Sequence, residues 1–187
     1  ANGYTGELIA RMASSYGLKP ILAGRNKNKL TALASELGLP YRVFGLEESD
    51  KLETALREVP LVINAAGPFV FTLKPMIEAC LRTKRHYLDI NGDINCFEKI
   101  KTYHDAAKEQ GIMLMPGVGF DVVPTDCLSL FLKNKMPDAK SLKIAFATPG
   151  GTISHGTAMT MTGKLGDGGM IRQNGKIVCR PLDEKGM

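Results

Sequence analysis

The 187 residues suffice for one large domain, or for one domain and part of a second, with a real core. Apolar content of 44% with 23% charged residues is that of a globular chain; no run approaches the roughly 18 apolar residues of a membrane span, and no basic flank or apolar block marks a secretion signal. The net charge of +5 is scattered without an aromatic-basic stripe, which argues against nucleic acid, and Cys80, Cys96, Cys127 and Cys179 are spaced for neither a zinc site nor a disulfide framework, so no metal is assigned and reduced thiols in a cytoplasmic protein are expected.

The chain opens on Gly3-Tyr4-Thr5-Gly6, read as a turn that starts a helix. Glu7 to Tyr16 then sets Leu8, Ile9, Met12, Ala13 and Tyr16 at helical spacing, with Gly17 as the stop, and predicts an amphipathic helix packed on a sheet. Ile21 to Ala23 predicts a short buried strand, Lys27 to Leu37 a helix stopped by Gly38, and Tyr41 to Phe44 another strand. A helix over Asp50 to Arg57 can be capped by Ser49 or Asp50. The apolar run Leu61 to Gly67, ending in small residues, has the pattern of a strand covered on both faces. Thr72 to Leu81 predicts a helix, His86 to Ile90 a strand, Cys96 to Glu109 one helix closed by Gly111, and Ile112 to Met115 a strand.

Strands that alternate with helices imply a doubly wound parallel sheet, because each parallel return needs a crossover. In the dinucleotide-binding version of this α/β fold the strand before the glycine turn lies at the centre of the sheet. Ala1 is already within the turn, so an apolar strand ending in glycine is expected to precede it and the chain reads as a fragment of a longer polypeptide. After Met115 the pattern changes: residues 116–124 form a loop, Thr125 to Lys135 a helix, Leu142 to Thr148 an alternating strand, and Met170 to Cys179 a hairpin around Asn174-Gly175. The expected domains are therefore 1–124 and 125–187, the second being the truncated start of a substrate domain.

The chemistry is concentrated at the expected carboxyl ends of the strands. Glycines at 3 and 6 let backbone approach a pyrophosphate, whose charge then rests on the N–H groups at the helix start, with the Thr5 hydroxyl as a further donor. An NAD-type site places an acid after the second strand, but here no acid follows Ala23 until Glu36 and Arg25 stands in its place, with Asn26 and Lys29 adjacent. That substitution points to a phosphorylated ribose and hence to NADP(H). Ala65, Ala66, Gly67, Pro68 and Phe69 are small or apolar residues suited to a ribose or nicotinamide. Each motif has a plainer alternative: a simple turn for Gly3 to Gly6, a solvated arginine at 25, and a Gly-Pro turn at 67–68. His86 reads as a packing or surface residue; Tyr87, Asp89, Asp93, Asp121 and Asp126 flank the same edge, and spacing assigns no catalytic role to any of them.

Taken in order, Ala1 to Gly6, Leu22 to Asn26 with Lys29-Leu30, Val62 to Phe69, His86 to Gly92, and Gly119 to Asp121 with Val123 to Asp126 resemble the NADP-binding domain of saccharopine dehydrogenase-like oxidoreductases, a group that includes trans-acting enoyl reductases. The resemblance implies a Rossmann domain followed by an α/β domain with a mainly antiparallel sheet. Two departures are Asp93, where many members have Glu, and Gly45-Leu46 in place of an acidic residue. The expected activity is NADP(H)-dependent hydride transfer to or from a small-molecule or lipid substrate, with a homodimer among the expected assemblies. The alternative is an NADP(H)-binding sensor or scaffold without turnover.

Overall fold

The computed structural model of the protein describes residues 1–145, 147, 158–159, 162–163, 168–174 and 176–180. The chain divides into two compact units, Ala1–Ala147 and Thr148–Met187.

In the first unit, α1 (Tyr4–Ala13) leads through a short 3-10 turn to β1 (Leu22–Gly24), α2 (Lys27–Leu37) and β2 (Tyr41–Val43). Next come α3 (Ser49–Arg57), β3 (Leu61–Asn64), α4 (Phe69–Thr83) and β4 (His86–Asp89). The series ends with α5 (Ile94–Lys101), α6 (His104–Gln110), β5 (Leu114–Met115) and α7 (Val123–Lys135). All pairings among these strands are parallel, β1 with β2 and β3-β4-β5 in that order, while β1 and β3 do not pair with one another. Parallel strands joined through helices are the α/β organisation expected of the alternating pattern.

Two apolar clusters hold the elements. Leu22, Leu30, Leu33 and Ala34 join β1 to α2 and to Ala10 of α1. Leu52, Leu56, Leu73, Ile77, Cys80 and Tyr87 tie α3 and α4 to β4. Leu30 and Ile77 are wholly removed from solvent, each contributing about 1.5–3 kcal/mol of transfer free energy. Burial also pushes the Cys80 thiol up to about 12, whereas Cys127 is exposed. Thiolate is the reactive form, so at pH 8 an aromatic disulfide reagent is expected to label Cys127 in the native protein and Cys80 only after denaturation. Mass spectrometry of labelled peptides checks this, and equal rates at the two thiols would contradict the packing.

Several elements differ from their sequence expectation for physical reasons. α1 begins at Tyr4 rather than Glu7, because Gly3 is extended and its carbonyl accepts from Glu7 N at 2.9 Å, closing the first turn. Its buried face is Gly6, Ala10 and Ala13, while Tyr4, Leu8, Met12 and Tyr16 are exposed. Small residues allow close helix approach, which the larger apolar stripe would prevent. The single helix expected over Cys96 to Glu109 is two, because Thr102 and Tyr103 bond back three residues, to Lys99 O and Ile100 O, and tighten the last turn of α5.

Leu142 to Ala145 and Ala147 form no strand; the residues of 142–145 are exposed and have no strand partner among the described residues, and alternation alone does not make a ladder. Thr148 lies outside the described residues. In the second unit, β6 (Gly169–Gln173) pairs antiparallel with β7 (Lys176–Arg180), the hairpin expected around Asn174.

Candidate functional site

The glycine turn and the carboxyl end of β1 are in direct contact. Ala1 N donates to Ala23 O, and a Cβ on Gly24 would lie 2.8 Å from Asn2 Oδ1. A Cβ on Gly6 would lie 2.7 Å from Ala1 O, so only glycine lets α1 begin this close to the preceding backbone. Gly3, by contrast, has open space where its Cβ would be. Gly3 provides no side-chain cap, and the N–H groups of the first turn, Tyr4, Thr5 and Gly6, have no carbonyl one turn earlier within the helix. Tyr4 and Thr5 are exposed and Gly6 is buried. The two sequence motifs thus meet at one edge, and the helix terminus there carries the positive end of its dipole.

Arg25 follows β1 directly, is exposed, and has no hydrogen bond or ion pair among the described residues. Asn26 is the N-cap of α2: its Oδ1 accepts from Lys29 N at 3.0 Å, which leaves the amide N–H of Asn26 and the exposed Lys29 ammonium for an anion. Glu36, the first acid after Ala23, lies in the last turn of α2. It pairs with Arg11 of α1 at 2.5 Å, and that hydrogen-bonded guanidinium holds its carboxyl below the usual range. After β2, Glu48 Oε1 accepts from Gly45 N at 2.9 Å and also pairs with Lys51, while the carboxylate of Glu47, directly after Leu46, lies where a Cβ on Gly45 would stand.

The loop after β3 is built from the side chain of Asn64. Its Oδ1 accepts from Ala66 N at 3.1 Å, while its Nδ2 donates to Thr72 Oγ1 and to Tyr87 Oη, both at 3.3 Å. Thr72 Oγ1 in turn donates to Ala66 O at 2.7 Å, which binds the loop to the first turns of α4. Ala66 and Gly67 are exposed, Ala65, Pro68 and Phe69 half-buried, and the Gly67-Pro68 bond is cis.

Behind this loop lies a buried polar cluster. Parallel register sets Asn64 opposite Asp89, and Tyr87, Asp89 and Asn91 follow the two-residue period that brings side chains to one face. Tyr87 and Asp89 are fully buried and Asn91 is 2% exposed. Tyr87 Oη donates to Asp89 Oδ2 at 2.8 Å; Asp89 Oδ1 accepts from Asn91 Nδ2 at 2.6 Å, Asn91 N at 3.1 Å and Gly117 N at 3.0 Å. Burial and the adjacent Asp89 push the Tyr87 phenol upward. Sequence reasoning singled out Tyr87 and Asp89 only as edge residues, and Asn64 and Asn91 entered only within longer motifs, with no role of their own. The available signal was the polar triplet at every second position of a strand otherwise flanked by core. His86, read as a packing or surface residue, accepts from Met113 N at 2.9 Å through Nδ1. Asp93 caps α5 by accepting from Asn95 N at 2.9 Å.

Comparison with known proteins follows the same residues. Over 96% of the chain it is 28% identical to the saccharopine dehydrogenase-like oxidoreductase of Mus musculus, covering 48% of that protein. Over 70% of the chain it is 31% identical to a probable mitochondrial saccharopine dehydrogenase-like oxidoreductase of Arabidopsis thaliana, covering 33% of it. The chain therefore spans half or less of these relatives' length. Apo saccharopine dehydrogenase (L-Glu forming) from Saccharomyces cerevisiae superposes on 73% of the chain, and on 30% of its own, with a TM-score of 0.65 at 15% identity, which establishes the shared Rossmann-type fold. The family model described as the saccharopine dehydrogenase NADP binding domain matches residues 1–115, the segment from the glycine turn through β5, and the chain belongs to that family of NADP-binding domains.

Proposed function

We propose that the chain is the cofactor-binding part of an NADP(H)-dependent oxidoreductase whose reaction is hydride transfer to or from a small-molecule or lipid substrate. The observation that carries the reading is the uncommitted guanidinium of Arg25 at the end of a strand that touches the glycine turn. In this reading the first-turn N–H groups of α1, from Gly3 to Gly6, receive the pyrophosphate, and Arg25, Asn26 and Lys29 receive the 2′-phosphate. Ala65 to Phe69 line the nicotinamide side. When bound, the dinucleotide supplies the hydride chemistry; the chain's own residues bind and orient it. The same reading places the domain boundary after residue 124, takes the residues from 125 onward as the start of a substrate domain, and assigns the protein to the cytoplasm, since the spacing of Cys80, Cys96, Cys127 and Cys179 writes no disulfide framework.

A non-catalytic NADP(H) sensor is the second reading. It is favoured by the spent state of the titratable groups at the strand ends: Tyr87 and Asp89 are fully buried and bonded to one another. Titrating the full-length protein with NADPH and NADH tests the cofactor assignment. NADPH is expected to bind at least about tenfold more tightly, as a charge-assisted phosphate contact requires. Equal affinities would reject the phosphate site.

A further inference from the structure

The Asp89 cluster links three loops that are far apart in sequence. Gly117 belongs to the loop after β5, Asn91 to the loop after β4, and Ala66 to the loop after β3. An unbroken path joins them: Gly117 N and both Asn91 donors on Asp89 Oδ1, Tyr87 Oη on Asp89 Oδ2, Asn64 Nδ2 on Tyr87 Oη, and Ala66 N on Asn64 Oδ1. Val118 N adds a bond to Asp89 O at 2.8 Å, and Asp93 N one to Asn91 Oδ1 at 2.9 Å. Apolar side chains of the same volume would fill this space at lower desolvation cost. What they would lack is direction, since each bond in the path fixes the orientation of the next group.

We propose that Asp89 is a positioning residue that, through Tyr87 and Asn64, holds the Ala65–Phe69 loop in the pose that receives the reacting half of the dinucleotide. The inference rests on the reading of that loop as the nicotinamide side. The two carboxyl oxygens divide the work: Oδ1 secures the loops after β4 and β5, and Oδ2 secures the link toward Asn64. Asn at position 89 retains an acceptor for the first set but turns an N–H toward Tyr87 Oη, which already accepts from Asn64 Nδ2. The phenol hydrogen then has no acceptor. Tyr87→Phe severs the same link from the other side.

The test measures two probes on full-length protein: NADPH, and 2′,5′-ADP, which contains only the adenosine half. Asp89→Asn and Tyr87→Phe are each expected to weaken NADPH about three- to tenfold, the worth of one hydrogen bond, with 2′,5′-ADP unchanged. The double variant is expected to be no weaker than either single one, because one link is broken in all three. Parallel loss of both probes marks a merely structural role and overturns the proposal, as does unchanged NADPH binding. If Asp89→Asn does not fold, Tyr87→Phe carries the same comparison. Ala66→Leu, at an exposed position, separates the two levels. If it selectively weakens NADPH while Asp89→Asn and Tyr87→Phe do not, positioning alone is refuted. If Ala66→Leu leaves NADPH untouched, the loop reading falls and the proposal with it.

Discussion

Arg25→Ala is expected to weaken NADPH binding about ten- to a hundredfold and to leave NADH binding within about twofold of its starting value. The magnitude follows from the state of the guanidinium. An arginine already paired with a carboxylate would have to break that pair, and the net gain on binding a phosphate would shrink. Arg25 has no such partner among the described residues, unlike Arg11 and Arg42, which are paired with Glu36 and Glu58. Removing it therefore removes a charge-assisted contact without releasing a buried acid. The fold is expected to remain intact, since the side chain is exposed. Isothermal titration with both dinucleotides at fixed ionic strength checks the ratio. A variant that loses NADH and NADPH together would place Arg25 at the pyrophosphate or in the fold, and one that loses neither would leave it a solvated surface residue.

Gly6→Ala is expected to destabilise the first unit and to impair NADPH binding, while Gly3→Ala leaves stability unchanged. On an ordinary helix the first substitution would stabilise by up to about 1 kcal/mol, because alanine loses less backbone entropy. Here the added Cβ would stand 2.7 Å from Ala1 O and 3.1 Å from Ala1 C and Cα. These are backbone atoms, so no side-chain rotation relieves the overlap and α1 must move away from the preceding segment. Overpacking of this kind costs about 1–3 kcal/mol, which outweighs the propensity gain over most of that range. For a domain of this size the melting point falls about 2–4 °C per kcal/mol. Gly3 has an extended φ of −88° and an empty Cβ position, so alanine fits there. Thermal melts of the two variants decide between them: a Gly6→Ala protein that melts at or above its parent would mean that the close approach of α1 to Ala1 is not required. The two glycines look equivalent in sequence, and it is their packing that separates them.

Much of the first unit was legible without coordinates because its signals are local. Leu30, Leu33 and Ala34 recur at helical spacing and Gly38 terminates at a φ of +63°, so α2 is written in a dozen neighbouring residues. The same holds for the alternation of strand and helix from β1 to β5, and for Arg25 standing where an acid would favour NAD. Periodicity could not tell which face of α1 packs. Leu8 and Met12 are more apolar than Gly6 and Ala10, but only the small residues permit the short distance to Ala1. Nor could it find the break between α5 and α6, where Thr102 and Tyr103 trade four-residue bonds for three-residue ones.

The expected strand at 142–148 went astray for a related reason. An alternating pattern describes one side of a ladder, and the described part of that segment has no other side.

The buried cluster shows the division most clearly. Composition, spacing and stop signals were enough to write the alternation of strand and helix from β1 to β5, since most of these elements depend on interactions within one or two turns of chain. The bonds from Gly117 N to Asp89 and from Asn64 Nδ2 to Tyr87 depend on the parallel register that sets Asn64 beside Asp89 and on the path of the loop after β5, and they orient the Asn64 side chain that accepts from Ala66 N. The first two are contacts between segments more than twenty residues apart, and such directional hydrogen bonds have no one-dimensional signature.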